Sequence, residues 1–254
     1  MQKSYNIYHN LGYWFLLLIV LVFGGFYTSY FTTFFDRHPP LIHIHFALMM
    51  LWIAMLIAQP FLIKFKKISI HRMLGKISYV LVPLVLLSAF LMIRLSYYRF
   101  IAVTTEQASK GLNQSAGAQI LQQAADFQAI AVFYFAWFFI FYSLAIINRR
   151  RSPAHARYMV ATALTLLGPT VDRIMFFVFN LEMLPGGISA MWVSFILIDI
   201  VLAVLLFKDY KNKRPTKTLW TCLLIYIPGQ VLHFAVLGHD WWQQFISVLM
   251  LPRP

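Results

Sequence analysis

The stretch HPPLIHIHFALMMLWIAMLIAQPFLIKFKK, residues 38–67, decides the class of this protein. It contains an apolar run of about 20 residues, which is the length that an α-helix needs to cross a lipid bilayer. Three lysines follow this run, and basic residues are enriched where a membrane-spanning helix enters the cytoplasm. The stretch therefore predicts a transmembrane helix whose carboxyl end faces the cytoplasm.

The composition of the whole chain is that of a membrane protein. Of its 254 residues, 61% are hydrophobic and only 11% are charged, and the mean hydropathy is +0.71. A soluble domain carries about a quarter charged residues, so this chain needs lipid as well as protein to cover its apolar surface. Its one cysteine, Cys222, excludes an intrachain disulfide and a cysteine-cluster metal site.

Seven stretches are long and apolar enough to span a bilayer. They are residues 11–33, 43–63, 73–95, 127–147, 158–180, 188–207 and 218–237. No internal repeat or linker divides them, so residues 1–254 are predicted to form a single polytopic domain, an all-α bundle of seven transmembrane helices. The polar connection 96–126 is rich in Ala and Gln and is expected to be partly helical and to cap the outer face.

The net charge of +13 indicates membrane topology rather than binding to nucleic acid. Fourteen of the 21 basic residues lie in three short connections, at 64–76, 149–157 and 208–217. In a seven-span arrangement all three fall on one face, and short basic loops remain cytoplasmic. The amino terminus is therefore expected in the cytoplasm of a bacterium, in a protein of its inner membrane that attracts anionic lipid headgroups.

The seventh span contains Pro228 and Gly229 in mid-helix. Proline removes a backbone hydrogen bond, so a kink or a break is expected, and the sequence leaves open whether the span is continuous. The segment WWQQFISVLML, residues 241–251, then follows and is typical of an aromatic helix at the membrane interface.

Ionisable side chains inside or at the ends of the predicted spans fall into two layers. Such groups are costly in lipid, which makes them candidates for a functional site. The outer layer comprises His43, His45, Arg94, Asp172, Arg173 and His233. Asp199 lies deeper, near the middle of the sixth span, and the inner layer contains His71 and His155.

Helix geometry separates the neighbours in the outer layer. His43 and His45 are about 200° apart around a helix, so if His45 faces the bundle, His43 faces largely away or serves as a cap. Arg173 diverges from Asp172 by about 100° and is expected to reach an acid on another span, with Asp199 as the candidate. The alternative is that Arg173 holds an anion, a haem propionate or a substrate carboxylate.

The inner layer repeats one pattern. His71 and His155 each open a helix that runs from the cytoplasm outward, and each is followed by an arginine one or two residues later. If the third and fifth spans are neighbours, the two imidazoles face each other. The structural alternative is that each histidine caps a loop or contacts lipid phosphate.

Over about residues 40–180, the chain resembles a family of uncharacterised bacterial multi-pass membrane proteins that carries a domain of unknown function. That family has a His-rich opening to one span, a Gln near its other end, the motif His-Arg-x-x-Gly, a later His-x-x-(Trp/Tyr)-Met and a further Arg. The matching residues are His43 or His45, Gln59, His71-Arg72 with Gly75, His155 with Tyr158-Met159, and Arg173. The resemblance supports these residues as a site and assigns no reaction.

A looser likeness is to di-haem transmembrane b-type cytochromes, which ligate haem with histidines on a four-helix core. This likeness implies haem b and membrane redox chemistry, with His45, His71, His155 and Arg173 as cofactor-binding residues. The fourth span contains no histidine, so at most one inner haem, between His71 and His155, fits the pattern.

Two other functions compete with the redox hypothesis. One is a non-catalytic membrane component, such as an accessory subunit with a protein partner, a small-molecule binder or a transporter. The other resembles seven-span ceramidase-like and progestin-receptor-like zinc hydrolases, with zinc or another divalent metal on outer-layer residues. The candidate metal ligands are His43, His45, Asp172 and His233, although the His-x-x-x-His motif of the last span is missing. Gln59, Arg94 and Asp199 are expected to pair with a ligand or to hold the structure together.

Overall fold

The computed structural model describes residues 10–111 and 117–250, and over these ranges the chain is almost entirely helical. The helices are α1 (Leu11–Phe26), α2 (Pro40–Lys64), α3 (Ile68–Ser109), α4 (Gly117–Ile147), α5 (Ser152–Leu164), α6 (Leu167–Arg173), α7 (Trp192–Lys211), α8 (Lys217–Ala235) and α9 (Asp240–Met250). Two π-helical turns, Tyr27–Phe31 and Ile174–Val178, continue α1 and α6. A two-stranded antiparallel hairpin, β1 (Met183–Leu184) and β2 (Ile188–Ser189), precedes α7. The all-α prediction is confirmed.

Six helical segments are long and apolar enough to cross a membrane. They are Leu11–Phe31, Pro40–Lys64, Ile68–Ser109, Gly117–Ile147, Ser152–Val178 and Lys217–Ala235. These segments correspond to six of the seven predicted spans. Helix α7, which occupies the position of the sixth predicted span, has 20 residues but carries four charged side chains, of which three lie in its last four residues.

The fifth span is interrupted, which the sequence analysis did not predict. Helix α5 ends at Leu164 and α6 begins at Leu167, where a continuous helix was expected. Pro169 accounts for the break, because it has no amide hydrogen and its ring collides with the carbonyl group four residues earlier. Thr165 stabilises the turn by donating a hydrogen bond of 2.7 Å to the carbonyl oxygen of Thr162.

The last long span, in contrast, is continuous. Helix α8 passes through Pro228 without a break. Gly229 allows Trp137 of α4 to pack directly on the helix, since a Cβ atom at residue 229 would lie only 2.7 Å from the indole nitrogen. The sequence left open whether this span is continuous, and the structure shows that it is, with the proline tolerated within a tightly packed helix.

Side-chain contacts bring the three basic connections together at one end of the bundle, here called the basic end. His71 lies within electrostatic range of His155, which joins the first connection to the second. Arg157 forms a salt bridge with Asp209, which joins the second connection to the third. The common face that the charge pattern predicted is therefore formed.

At the opposite end, here called the far end, α3 and α4 extend the bundle. The predicted connection 96–126 consists largely of these two helices, while residues 112–116 lie outside the described part of the chain. Helix α9 packs on the extension, and the indole nitrogen of Trp242 donates to the carbonyl oxygen of Ala125 at 3.2 Å. The segment that follows the last predicted span is thus helical over Asp240–Met250, and Leu251 lies outside the described residues.

Candidate functional site

The two inner histidines approach each other at the basic end. His155, in the first turn of α5, places Nδ1 2.9 Å from the carbonyl oxygen of Ala145 on α4. A carbonyl oxygen can only accept a hydrogen bond, so Nδ1 of His155 carries the hydrogen. In the neutral form of the ring, Nε2 then carries the lone pair. His71, in the first turn of α3, is close enough for the two imidazoles to interact electrostatically.

Gln59 supports this pair from the end of α2. Its side-chain nitrogen donates a hydrogen bond of 3.2 Å to the backbone carbonyl oxygen of His71. Oε1 of Gln59 and Nδ1 of His71 are both buried and, within the described part of the chain, have no hydrogen-bond partner. Buried polar atoms without partners are rare, and two of them at one place mark a position where a ligand or water can bind.

At the far end, His45 points into the bundle. Its Nδ1 lies 3.0 Å from Oγ of Ser88 on α3. Ser88 donates its single hydrogen to the carbonyl oxygen of Val85 at 2.9 Å, so in this arrangement Nδ1 of His45 is the donor to Ser88. Arg173 lies within electrostatic range of the same imidazole.

Asp172 and Arg173 diverge around α6, as the helical spacing predicts. Arg173 donates from Nη1 to the carbonyl oxygen of Pro169 at 3.1 Å and places its guanidinium carbon 4.5 Å from the centre of the Phe26 ring. Asp172 is buried on another side of the helix, near Ser194 of α7, whose hydroxyl group donates to the carbonyl oxygen of Met191. Its Oδ1 is buried and, among the described residues, has no hydrogen-bond partner.

A tyrosine completes the surroundings of Asp172. The hydroxyl group of Tyr134 on α4 lies 3.2 Å from Oγ of Ser194 and is in electrostatic contact with Asp172. Gly168 makes this approach possible, because a Cβ atom at residue 168 would overlap the Tyr134 ring. The interruption of the fifth span thus places a carboxylate and two hydroxyl groups close together inside the bundle.

The expected partnership between Arg173 and Asp199 is not formed. Oδ1 of Asp199 instead accepts a hydrogen bond of 3.1 Å from the side-chain nitrogen of Gln230 on α8. Arg94 also has a structural role, because its Nε donates to the carbonyl oxygen of Met250 at 2.7 Å and holds α9 against α3.

The four candidate metal ligands are not brought together. His43 faces away from His45 and lies 3.0 Å from the hydroxyl group of Tyr30. His233 is buried, and rings of Phe133, Phe195 and Phe234 lie with centroids 4.7–5.8 Å from it. In the described ranges, no group of three or more His, Cys, Asp and Glu side chains is close enough to hold a metal ion. The sequence placed these residues at similar depth, but depth alone does not fix the direction in which a side chain points.

Several polar partners were missed by the sequence analysis. Ser88, Tyr134, Ser194 and Gln230 are uncharged and do not stand out within apolar segments. Asp209 did give a signal, because it is the only acid among the three basic connections. A lone carboxylate among many cations is a natural partner for one of them.

The polar groups therefore form two clusters, one around His71 and His155 and one around Arg173 and Asp172. Two histidines can hold a haem from its two axial sides, whereas an arginine recognises an anionic group. The search for relatives adds no assignment to either cluster: no family model, no curated protein and no solved structure matches this chain.

Proposed function

We propose that the protein is a seven-span integral membrane protein of the bacterial inner membrane, with its amino terminus and its basic end in the cytoplasm. Six long apolar helices and the gathering of the basic connections support this arrangement. Helix α7 is the remaining span. Its central charge, Asp199, is hydrogen-bonded to Gln230, and its charged cytoplasmic end holds the salt bridge between Asp209 and Arg157.

We propose further that the basic end binds one haem b between His71 and His155, and that the protein acts in membrane redox chemistry. The observation that carries this proposal is that these two imidazoles, on α3 and α5, lie within electrostatic range of each other, beside two buried polar atoms without partners in the described part of the chain. The residues fit the cofactor, because two axial imidazoles suffice for haem, whereas a structural zinc ion takes four ligands. Bound haem would supply one-electron transfer.

The environment of His155 suits a haem ligand. The bond from Nδ1 of His155 to a backbone carbonyl group orients the ring and leaves Nε2 available, which is the usual second interaction of a histidine ligand. His71 does not form this second interaction, because its Nδ1 is buried without a hydrogen-bond partner in the described part of the chain. Arg72 and residues 149–151 supply guanidinium groups at the same end, which suit the propionates of haem.

An absorption spectrum tests the haem proposal. We expect the protein, expressed with adequate haem and purified in detergent, to show a Soret band and about one haem iron per chain, as expected for two axial histidines. The substitutions His71→Ala and His155→Ala should each abolish or shift the band, while His43→Ala at the far end should leave it unchanged. A wild-type protein without a Soret band, or full haem retention in both inner variants, would contradict the proposal.

A non-catalytic role as a small-molecule binder, transporter or accessory subunit is the second candidate function. The lapse in helical hydrogen bonding between Leu164 and Leu167, where the backbone keeps right-handed helical angles, favours it, because irregular backbone within a membrane helix occurs where it is buried in protein or lines a cavity. The hydrogen-bond acceptor Oδ1 of Asp172 lies beside this interruption. The test is to purify the protein and look for a bound partner. If the protein lacks a Soret band and co-purifies with a stable subunit, or with a small molecule identified by mass spectrometry, this function is supported over the first.

A further inference from the structure

Arg173 is a half-buried cation whose charge is not matched by a contacting carboxylate. In the ranges 10–111 and 117–250, the salt bridges join other residues, and no carboxylate oxygen lies within 4.0 Å of the Arg173 guanidinium. Its contacts are the carbonyl oxygen of Pro169 and the ring of Phe26. A charged side chain within a membrane span is costly and normally faces a partner or a functional site.

The neighbouring acid does not fill this role. Asp172 acts on Arg173 through space, but its carboxylate is turned toward Ser194 of α7. Arg173 is turned toward Phe26 of α1 and lies near His45 of α2. The two side chains therefore lie on different sides of α6.

The local geometry indicates what kind of group Arg173 can bind. The guanidinium carbon lies 4.5 Å from the centre of the Phe26 ring, and one N–H group is used by Pro169. A guanidinium group has further N–H groups in the same plane, where a planar fork matches two oxygens of a carboxylate or phosphate. His45 lies within electrostatic range of the guanidinium group.

We propose that Arg173 binds an oxyanion, either a carboxylate or a phosphate group, at the far end of the bundle. The site is separate from the His71–His155 pair, and the proposal does not rest on haem binding. The oxyanion is carried by a lipid headgroup or by a soluble small molecule, since both present the same oxygens to the guanidinium. Arg173 provides the two-point contact through its N–H groups that Pro169 does not use.

Thermal unfolding in nanodiscs tests the site and identifies the source of the oxyanion. One series replaces phosphatidylcholine stepwise with phosphatidylglycerol. A second series keeps pure phosphatidylcholine and adds sodium acetate or inorganic phosphate, with sodium chloride at equal ionic strength as the reference. We expect one series to raise the Tm of the wild-type protein saturably, and the same series to leave the Tm of Arg173→Gln unchanged. A response to the lipid series alone identifies a headgroup, and a response to the soluble series alone identifies a small molecule.

Arg99→Gln is the matched control, because Arg99 is an exposed arginine on the far-end extension of α3. It should respond as the wild-type protein does, which separates a specific site from general attraction between basic protein and anions. If Arg173→Gln does not fold, Arg173→Lys serves instead, and its half-maximal oxyanion concentration should rise about tenfold because lysine lacks the planar fork. The proposal is overturned if neither series stabilises the wild-type protein, or if the Arg173 variants and the Arg99 variant respond equally.

Discussion

Arg157 on α5 and Asp209 on α7 form a buried salt bridge, in which Nε and Nη2 of the arginine each lie 2.7 Å from Oδ2 of the aspartate. Their side chains are only 4% and 2% exposed. Arg214 adds a second guanidinium group, with Nη1 4.0 Å from Oδ1. The pair fixes α7 against α5, and so connects the two halves of the basic end.

Replacing this acid should strongly destabilise the protein. Asp209→Asn leaves the charge of Arg157 buried without its counter-ion, and breaking a buried pair costs about 3–5 kcal/mol. Thermal unfolding in detergent should therefore show a markedly lower Tm. Glu106→Gln, which removes the exposed pair with Lys110, is the control and should cost less than about 1 kcal/mol. Equal effects of the two substitutions would show that the buried pair does not stabilise the fold.

We expect alanine to be tolerated at Gly24 of α1 and to destabilise the protein at Gly25. A Cβ atom at Gly25 would lie 2.5 Å from the carbonyl oxygen of Thr170 on α6, whereas one at Gly24 would meet only Ile174 Cδ1 at 3.8 Å. We expect Gly25→Ala to destabilise the protein by about 1–3 kcal/mol through overpacking. Gly24→Ala should be close to neutral in the same unfolding assay. The reverse order would mean that α1 does not pack on α6 as described.

The docking of α9 should depend on one of two adjacent tryptophans. Trp242 is 4% exposed and donates to Ala125, while Trp241 is 53% exposed. Truncating a buried tryptophan costs about 3–5 kcal/mol, which exceeds what a short helix can lose while remaining docked. Hydrogen exchange over residues 240–250 should accelerate in Trp242→Ala and remain slow in Trp241→Ala. Unchanged protection in Trp242→Ala would show that α9 is held by other contacts.

Cysteine labelling tests the orientation of the bundle. In a Cys222→Ser background, Lys67→Cys, Arg150→Cys and Lys213→Cys place one thiol in each basic connection. We expect a membrane-impermeant maleimide to label all three only after the inner membrane is permeabilised, because basic loops remain cytoplasmic. Ser109→Cys, at the far end of α3, should be labelled in spheroplasts with intact membranes. Labelling of the three basic connections from different sides would refute the seven-span topology.

The sequence predicted that the ionisable side chains fall into two layers, but it did not predict which side chains pair within each layer. It predicted that His71 and His155 face each other only if the third and fifth spans are neighbours, and it left a capping role open for both. It could not predict that Asp199 bonds to Gln230 rather than to Arg173, since a glutamine in an apolar segment carries no charge to attract notice. It also missed the interruption of the fifth span, although Gly168 and Pro169 stand together there.

The sequence by itself determined that this is a helical membrane protein with its cations gathered at one end. Hydrophobic run length and charge distribution are properties along the chain, and the bilayer acts on each helix almost independently. The tertiary structure alone decided which side chains meet, because rotation about each helix axis is fixed by packing. Close contacts such as Gly25 with Thr170 and Gly168 with Tyr134 set those rotations, and they place Arg173 against the Phe26 ring and bury Asp172 on another side of α6.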